Sequence, residues 1–261
     1  MAITISVSST IDGSCKTTVA CMFAQLLSSS YKVLAIDLSG QCNLTETLIN
    51  NQTYHTVTST IWDAFITGDV VPYIVPTTEN LDILPGDMWI GSIPASLYIQ
   101  GNKETEIVIA LRDLLNQAKT DYDFVVVDSP STSAPELFDL SLSISDFAIM
   151  TYSPNKLSLI NQWINRINHV QTTFNPNLRV GGILRTRFNK IEALHEYYYE
   201  EVLRDYPKIC WKSVFPNSPR FAFLDHETIR KTEIKSTFEP IYAELMLRLL
   251  NSKKGSEIRL K

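Results

Sequence analysis

Residues 3–37 read ITISVSSTIDGSCKTTVACMFAQLLSSSYKVLAID, and this stretch decides the fold. Ile3–Ser8 (ITISVS) is a short β-branched run, and the loop Ser9–Thr18 (STIDGSCKTT) follows it. Thr17–Ser29 has helical spacing, with Ala20, Phe23, Ala24 and Leu27 on one face. Lys32–Asp37 (KVLAID) is almost continuously apolar, as a strand buried on both faces must be. Strand–loop–helix–strand is the start of a parallel sheet with helices packed against it.

The alternation continues outward from there. Asn43–Ile49 and Ser59–Ile66 read as short helices, and Leu81–Leu84 as a short strand stopped by Pro85-Gly86. Glu104–Ala118 is an amphipathic helix. Phe124–Asp128 (FVVVD) is the clearest buried strand in the chain. Phe147–Thr151 is a strand, followed by a helix from Leu157 to Val170. Val180–Leu184 is another strand, and Ile191–Arg204 a polar, Tyr-rich helix. A short strand falls at Trp211–Phe215, and Thr237–Leu250 closes the chain as a helix with Tyr242, Leu245 and Leu249 inward. The expected architecture is α/β: one domain over residues 1–250, a mostly parallel twisted sheet with helices on both faces. Residues 251–261 (NSKKGSEIRLK) are expected to form a short, basic C-terminal tail.

Composition narrows the function classes. The 261 residues are 44% hydrophobic and 20% charged, which is globular usage. No stretch approaches the roughly 20 apolar residues of a membrane span, and MAITISVSST lacks the basic and long apolar regions of a signal peptide. Cys15, Cys21, Cys42 and Cys210 form no CxxC pair and no metal-ligand spacing. A reduced, cytoplasmic protein is expected; secreted disulfide domains, membrane proteins and zinc fingers are not. The net charge of −5 is unevenly spread. Residues 1–178 carry 7 Lys+Arg against 17 Asp+Glu, whereas residues 179–261 carry 16 against 11. A basic C-terminal third marks either a polyanion-binding surface or a solvated charged face.

The loop after the first strand carries the chemistry. Ligands in a parallel sheet sit at the carboxyl ends of strands. A phosphate-binding loop there needs glycines to aim backbone N–H groups at phosphate oxygens. It also needs Lys for the β/γ charge and Ser/Thr for Mg²⁺ at a helix N-terminus. The pattern GxxxxGK[ST] would run from position 10 to 17. Lys16 and Thr17 are in place, Gly13 is an extra glycine, and Thr10 and Cys15 stand at the two glycine positions. By itself the segment reads equally as a strand–helix turn with a capping threonine.

The order of motifs along the chain resembles the ParA/MinD (Soj-like) family of deviant Walker-type partition ATPases. The family's KGGxGKTT aligns with Ile11–Thr18 (IDGSCKTT). Its DxDPQGN aligns with Asp37–Asn43 (DLSGQCN), followed by Leu44-Thr45. Its LxLLP segment matches Leu81–Pro85. Its YDxxxxD strand matches Tyr122-Asp123 through Asp128, and DSPST (Asp128–Thr132) stands where the family has DxPP. Its late PxxxR turn matches Pro216–Arg220. The resemblance implies a ParA-like P-loop NTPase-like fold over residues 1–250, ATP and Mg²⁺ as ligands, a homodimer, non-specific DNA and a cargo or centromere-binding adaptor protein as partners, and no membrane. It implies that Lys16 neutralises the β/γ-phosphates, Thr17 and Asp128 serve Mg²⁺, Thr18 touches the α-phosphate, Asp37 lies near the same site as a catalytic candidate, and Pro216 and Asn217 flank the adenine. Asp128 as a helix N-cap and Pro216-Asn217 as an ordinary turn are the bland alternatives.

Four positions depart from that pattern. Ile11 replaces the signature lysine that reaches a partner's nucleotide. Asp12 puts a carboxylate beside the phosphates. Cys15 puts a Cβ where glycine would take positive φ and let the backbone approach. Ser39 stands at the position of the catalytic Asp and cannot act as a comparable base. ATP binding is therefore expected to be weak or absent, and hydrolysis poor or absent. Lys156, in the loop after the Phe147–Thr151 strand, is either a substitute charge for the missing lysine or a solvated lysine at a helix start.

Arg185, Arg187, Lys190, Arg220, Arg230, Lys231 and Lys235 are the candidates for DNA phosphate contact, although RTRFNK follows a strand and its alternate residues could instead face the nucleotide site. The tail is too short and polar for a membrane-binding helix. Three functions stay open. One is a partition or positioning protein that still uses nucleotide as a slow dimerising switch. The second is a non-catalytic pseudo-ATPase serving as a protein- or DNA-binding module. The third, a ligase or reductase on the same fold, has no catalytic constellation and no cysteine pair to support it.

Overall fold

The computed structural model describes residues 2–55, 57–189, 192–221 and 224–253. In chain order the elements are β1 (Ile3–Ser8), α1 (Lys16–Leu27), β2 (Val33–Asp37), α2 (Asn43–Leu48), α3 (Asn51–Tyr54), α4 (Ile61–Thr67), β3 (Val75–Thr78), β4 (Leu81–Leu84) and α5 (Ser92–Ile99). There follow α6 (Glu104–Gln117), β5 (Phe124–Asp128), α7 (Pro135–Ser143), β6 (Phe147–Tyr152), α8 (Ser158–Thr173), β7 (Arg179–Phe188), α9 (Ala193–Asp205), β8 (Cys210–Pro216) and α10 (Thr232–Lys253). The strand order is β3-β4-β2-β5-β1-β6-β7-β8, and every pairing is parallel except β3 with β4. Pro76 sits on β3, the antiparallel edge, where a missing N–H costs no central ladder bond.

Alternate side chains of the central strands enter two different cores. Val33, Ala35 and Val126 pack with α1 and α10, whereas Leu34, Ile36, Val125 and Val127 pack with α6 and α7. That double burial is why these strands are apolar throughout. A third cluster joins β6 and β7 to α8 around the fully buried Trp163. The first strand differs. Ile5 and Val7 face the α1 side, while Thr4, Ser6 and Ser8 are buried on the other. Ser6 reaches Ser141 of α7 at 3.3 Å, and Ser8 accepts the Trp163 indole N–H at 2.9 Å. Small hydroxyls thus close a polar seam under helices rather than facing water.

Several expected boundaries move. β3, α3, α5 and α7 are not among the elements expected from the sequence. The strand expected at Val180–Leu184 runs on to Phe188, so Arg185 and Arg187 belong to it. The closing helix starts at Thr232 and continues to Lys253, three residues into the expected tail; residues 254–261 lie outside the described residues. Among the described residues no helix is long and apolar enough to cross a membrane.

The α7–α8 contact holds a buried acid. Asp139 is fully buried, is hydrogen-bonded by Arg166, and has His169 Nε2 3.8 Å away; Arg166 also reaches Glu104 at 3.6 Å. Its Oδ2 has no hydrogen-bond partner. Burial outweighs the attraction of Arg166 and pushes the carboxyl up to about 6. A carboxyl that binds its proton more tightly folded than unfolded contributes stability while protonated. That contribution is full below about pH 4 and is lost as pH rises through about 6. Comparing wild type with Asp139→Asn isolates it. Wild type should gain up to about 3 kcal/mol on the variant between pH 7 and pH 4. Denaturant titrations at both pH values check this, and a pH-independent difference would refute it.

Candidate functional site

The register of the sheet assembles the site. Asp37 and Asp128 are paired positions at the carboxyl ends of β2 and β5, and Val7 of β1 is paired with Asp128. The loop after β1 therefore lies over two carboxylates that come from distant points of the chain. Hydroxyls from its neighbours fasten it. Ser14 Oγ and Thr151 Oγ1 of β6 are 3.0 Å apart, Thr186 Oγ1 of β7 donates to the Ser14 carbonyl at 2.9 Å, and Thr132 Oγ1 donates to the Thr10 carbonyl at 3.0 Å.

The loop has the left-handed turns that a phosphate cradle needs, though only one is glycine. Gly13 has φ 73° and Cys15, the residue before α1, has φ 66°. The expectation that Cys15 resists positive φ is corrected here. Its side chain packs against the α1 core cluster, and burial pushes its thiol up. That packing offsets a conformational cost of about 1 kcal/mol. Cys42 repeats the device with φ 55° at the start of α2.

Thr17 Oγ1 donates to Asp128 Oδ2 at 2.6 Å, while the other Asp128 oxygen is buried with no hydrogen-bond partner. Burial raises Asp128, the Asp37 carboxylate raises it further, and the Thr17 bond and the Lys16 charge act against them. Asp37 is fully buried and also raised by burial, but it is well satisfied. Its Oδ2 accepts both the N–H and the hydroxyl of Thr45 at 3.0 and 2.8 Å, and Oδ1 accepts the Ser39 N–H at 3.0 Å. Gly86 N–H in turn donates to Thr45 Oγ1 at 2.8 Å, and a Cβ on Gly86 would lie 2.9 Å from Asp37 Oδ2. Those bonds hold the Asp37 carboxylate in place, and of the two acids Asp128 is the one with an open oxygen. A hard divalent cation fits that oxygen together with the Thr17 hydroxyl.

Lys16 is nearly buried, and its ammonium group donates to the Ile11 carbonyl at 3.0 Å and to Asp12 Oδ1 at 3.4 Å. Thr18 is half-buried one position along α1. Ser39 Oγ accepts the Gln41 N–H at 3.4 Å in the loop before α2. Pro216 ends β8, and Asn217 N–H donates to the Phe188 carbonyl at 3.0 Å, which holds this turn beside the end of β7. Lys156 is exposed, in the loop before α8.

The basic candidates separate. Arg185 is not a surface residue, which corrects the expectation that it meets DNA. It is 3% exposed, donates to the Trp211 and Lys212 carbonyls at 3.0 and 3.3 Å, and stacks 3.8 Å from the Tyr199 ring centre. Arg187 has φ 56° and its Nη1 donates to the Gly13 carbonyl at 3.2 Å, so it braces the loop. Lys190 lies outside the described residues. Arg220 and Lys231 are exposed, Lys235 is half-buried, and Arg230 pairs with the His226 ring at 2.6 Å. Thr45, Ser131, Thr151 and Thr186 are not among the site residues expected from the sequence. Thr45 is visible there only as the residue following Leu44 in the second motif and Ser131 only as part of DSPST, while Thr151 and Thr186 carry no local signal.

A strand–loop–helix cradle with a lysine, a hydroxyl and an open carboxylate at adjacent strand ends defines a P-loop protein. The profile of the AAA domain family (AAA_31) matches residues 2–180, and the chain belongs to that family, in its ParA/MinD-like branch. The chromosome partitioning protein ParA of Myxococcus xanthus is 26% identical over 226 residues, covering 84% of this chain and 76% of that protein. Among solved structures, the cobyrinic acid a,c-diamide synthase of Mycobacterium smegmatis with bound ADP and magnesium superposes with a TM-score of 0.76 at 22% identity, over 97% of each chain. Apo McdA of Cyanothece superposes with a TM-score of 0.77 at 16% identity, over 95% of this chain and all of that one.

Proposed function

We propose that this chain is a ParA-type partition or positioning protein that takes a magnesium nucleotide in the loop after β1 and hydrolyses it slowly or not at all. The observation that carries the reading is the pair Thr17–Asp128, 2.6 Å apart, with the second Asp128 oxygen buried and unpartnered. Mg²⁺, when bound, supplies neutralisation of phosphate charge. Thr17 and Asp128 would hold it, Lys16 and the N-terminus of α1 would receive phosphate, and Pro216 and Asn217 would border the base. Ser39 offers only a hydroxyl near Asp37, and Asp37 is committed to Thr45, so neither position of the second motif offers a free carboxylate as a base. That is the ground for slow turnover. The protein acts as a cytoplasmic homodimer that works with a cargo or centromere-binding adaptor, and Arg220, Arg230, Lys231 and Lys235 give it non-specific affinity for DNA.

A second reading has its own support. The Lys16 ammonium is already engaged by Ile11 and Asp12, which favours a non-catalytic protein- or DNA-binding module. Isothermal titration with ATP and Mg²⁺ at low salt separates the two. Micromolar binding supports the nucleotide reading, and no heat from a folded protein at high concentration sinks it. DNA affinity is a further expectation. Binding to random-sequence duplex should fall steeply with salt, and Lys231→Ala should lower the slope of log K against log salt by about 1. An unchanged slope would remove Lys231 from the DNA surface.

A further inference from the structure

We infer that Asp12 is a built-in counter-anion for Lys16 that sets the site to favour a nucleoside diphosphate over a triphosphate. The inference rests on the nucleotide reading above and deepens it. A phosphate-loop lysine works by offering an unshared positive charge to the β and γ positions. Here the Lys16 ammonium is nearly buried and already holds Asp12 Oδ1 at 3.4 Å and the Ile11 carbonyl at 3.0 Å. The carboxylate is held from its other side as well. Ser131 Oγ donates to Asp12 Oδ2 at 3.2 Å, and Ser131 is itself buried and 2.7 Å from Ser133 Oγ. Asp12 therefore bridges the phosphate loop and the loop that follows the Asp128 strand.

The backbone on either side of Asp12 is fastened. Arg187 holds the Gly13 carbonyl, Thr132 holds the Thr10 carbonyl, and Thr186 and Thr151 hold Ser14. The Asp12 side chain is 68% exposed, so it stands at the mouth rather than in the floor of the cradle. A third phosphate adds negative charge and needs the lysine charge that Asp12 shares. A diphosphate needs less of it. Solvent at the mouth screens the repulsion, so the discrimination is about tenfold rather than absolute.

The test is titration of the full chain with ADP–Mg²⁺ and ATP–Mg²⁺, in wild type, Asp12→Asn and Asp12→Gly, with circular dichroism confirming that each folds. Wild type is expected to bind ADP about tenfold tighter than ATP. Both variants should bring the ratio close to one, mainly by tightening ATP, and the wild-type ratio should shrink in high salt. ATP binding as tight as ADP in wild type, or a ratio that neither variant moves, overturns the inference and leaves the nucleotide reading standing. If neither nucleotide binds wild type but ATP binds the variants, the counter-anion role is supported. If neither binds any of the three, the nucleotide reading fails and takes this inference with it.

Discussion

Gly182→Ala is expected to destabilise the protein by about 3–5 kcal/mol, from a backbone strain of about 1–3 kcal/mol and an overpacking cost of similar size. Gly182 lies in β7 with φ 128°, a conformation open in practice to glycine alone. A Cβ there would collide with the Trp211 indole and stand 2.6 Å from the Ile209 carbonyl oxygen. Neither neighbour is free to yield. Trp211 is fully buried, its Nε1–H donates to the Gly181 carbonyl at 3.1 Å, and the Ile209 carbonyl accepts the Ile183 N–H at 2.8 Å. A loss of that size is a large share of the roughly 5–15 kcal/mol that holds a domain folded. Denaturant titration checks it, with Gly91→Ala as the control, since nothing lies within 4 Å of a Cβ at that position. A midpoint for Gly182→Ala equal to that of the control would refute the account.

Lys16→Ala is expected to weaken magnesium-nucleotide binding about a hundredfold, or about 3 kcal/mol, the scale of removing a charge-assisted hydrogen bond from a desolvated site. The lysine is 8% exposed, and no other cation replaces it from the same loop, because Ile11 stands at the second cationic position. Arg187 is close, yet it is bonded to the backbone carbonyl of Gly13. Titration of the variant with ADP–Mg²⁺ measures the loss. Affinity within about threefold of wild type would remove the loop after β1 as the phosphate site.

The sequence alone set the α/β alternation, the identity of β1, β2, β4 and β5, and the motif order that points to Lys16, Thr17, Asp37 and Asp128. Those elements are legible because burial on both faces of a parallel strand leaves an unbroken apolar run, and because a phosphate loop must sit between a strand and a helix. The α7 helix was not legible. Its buried residues include Asp139 and Ser141, polar positions whose partners, Arg166 and Ser6 of β1, are brought to them only by the fold. The two arginines of RTRF were legible only as a choice between a DNA surface and the nucleotide site. Two residues apart on a strand they belong to one face, but the left-handed backbone at Arg187 breaks the alternation. Arg185 goes under Tyr199 and Arg187 goes to the loop. Which polar groups are buried, and which acid keeps an open oxygen, depends on partners more than 100 residues away. Thr17 with Asp128 and Thr132 with Thr10 are such pairs. Local sequence carries hydrophobic period and turn chemistry, whereas hydrogen-bond satisfaction in the interior is a property of the packed chain, and only the tertiary structure decided it.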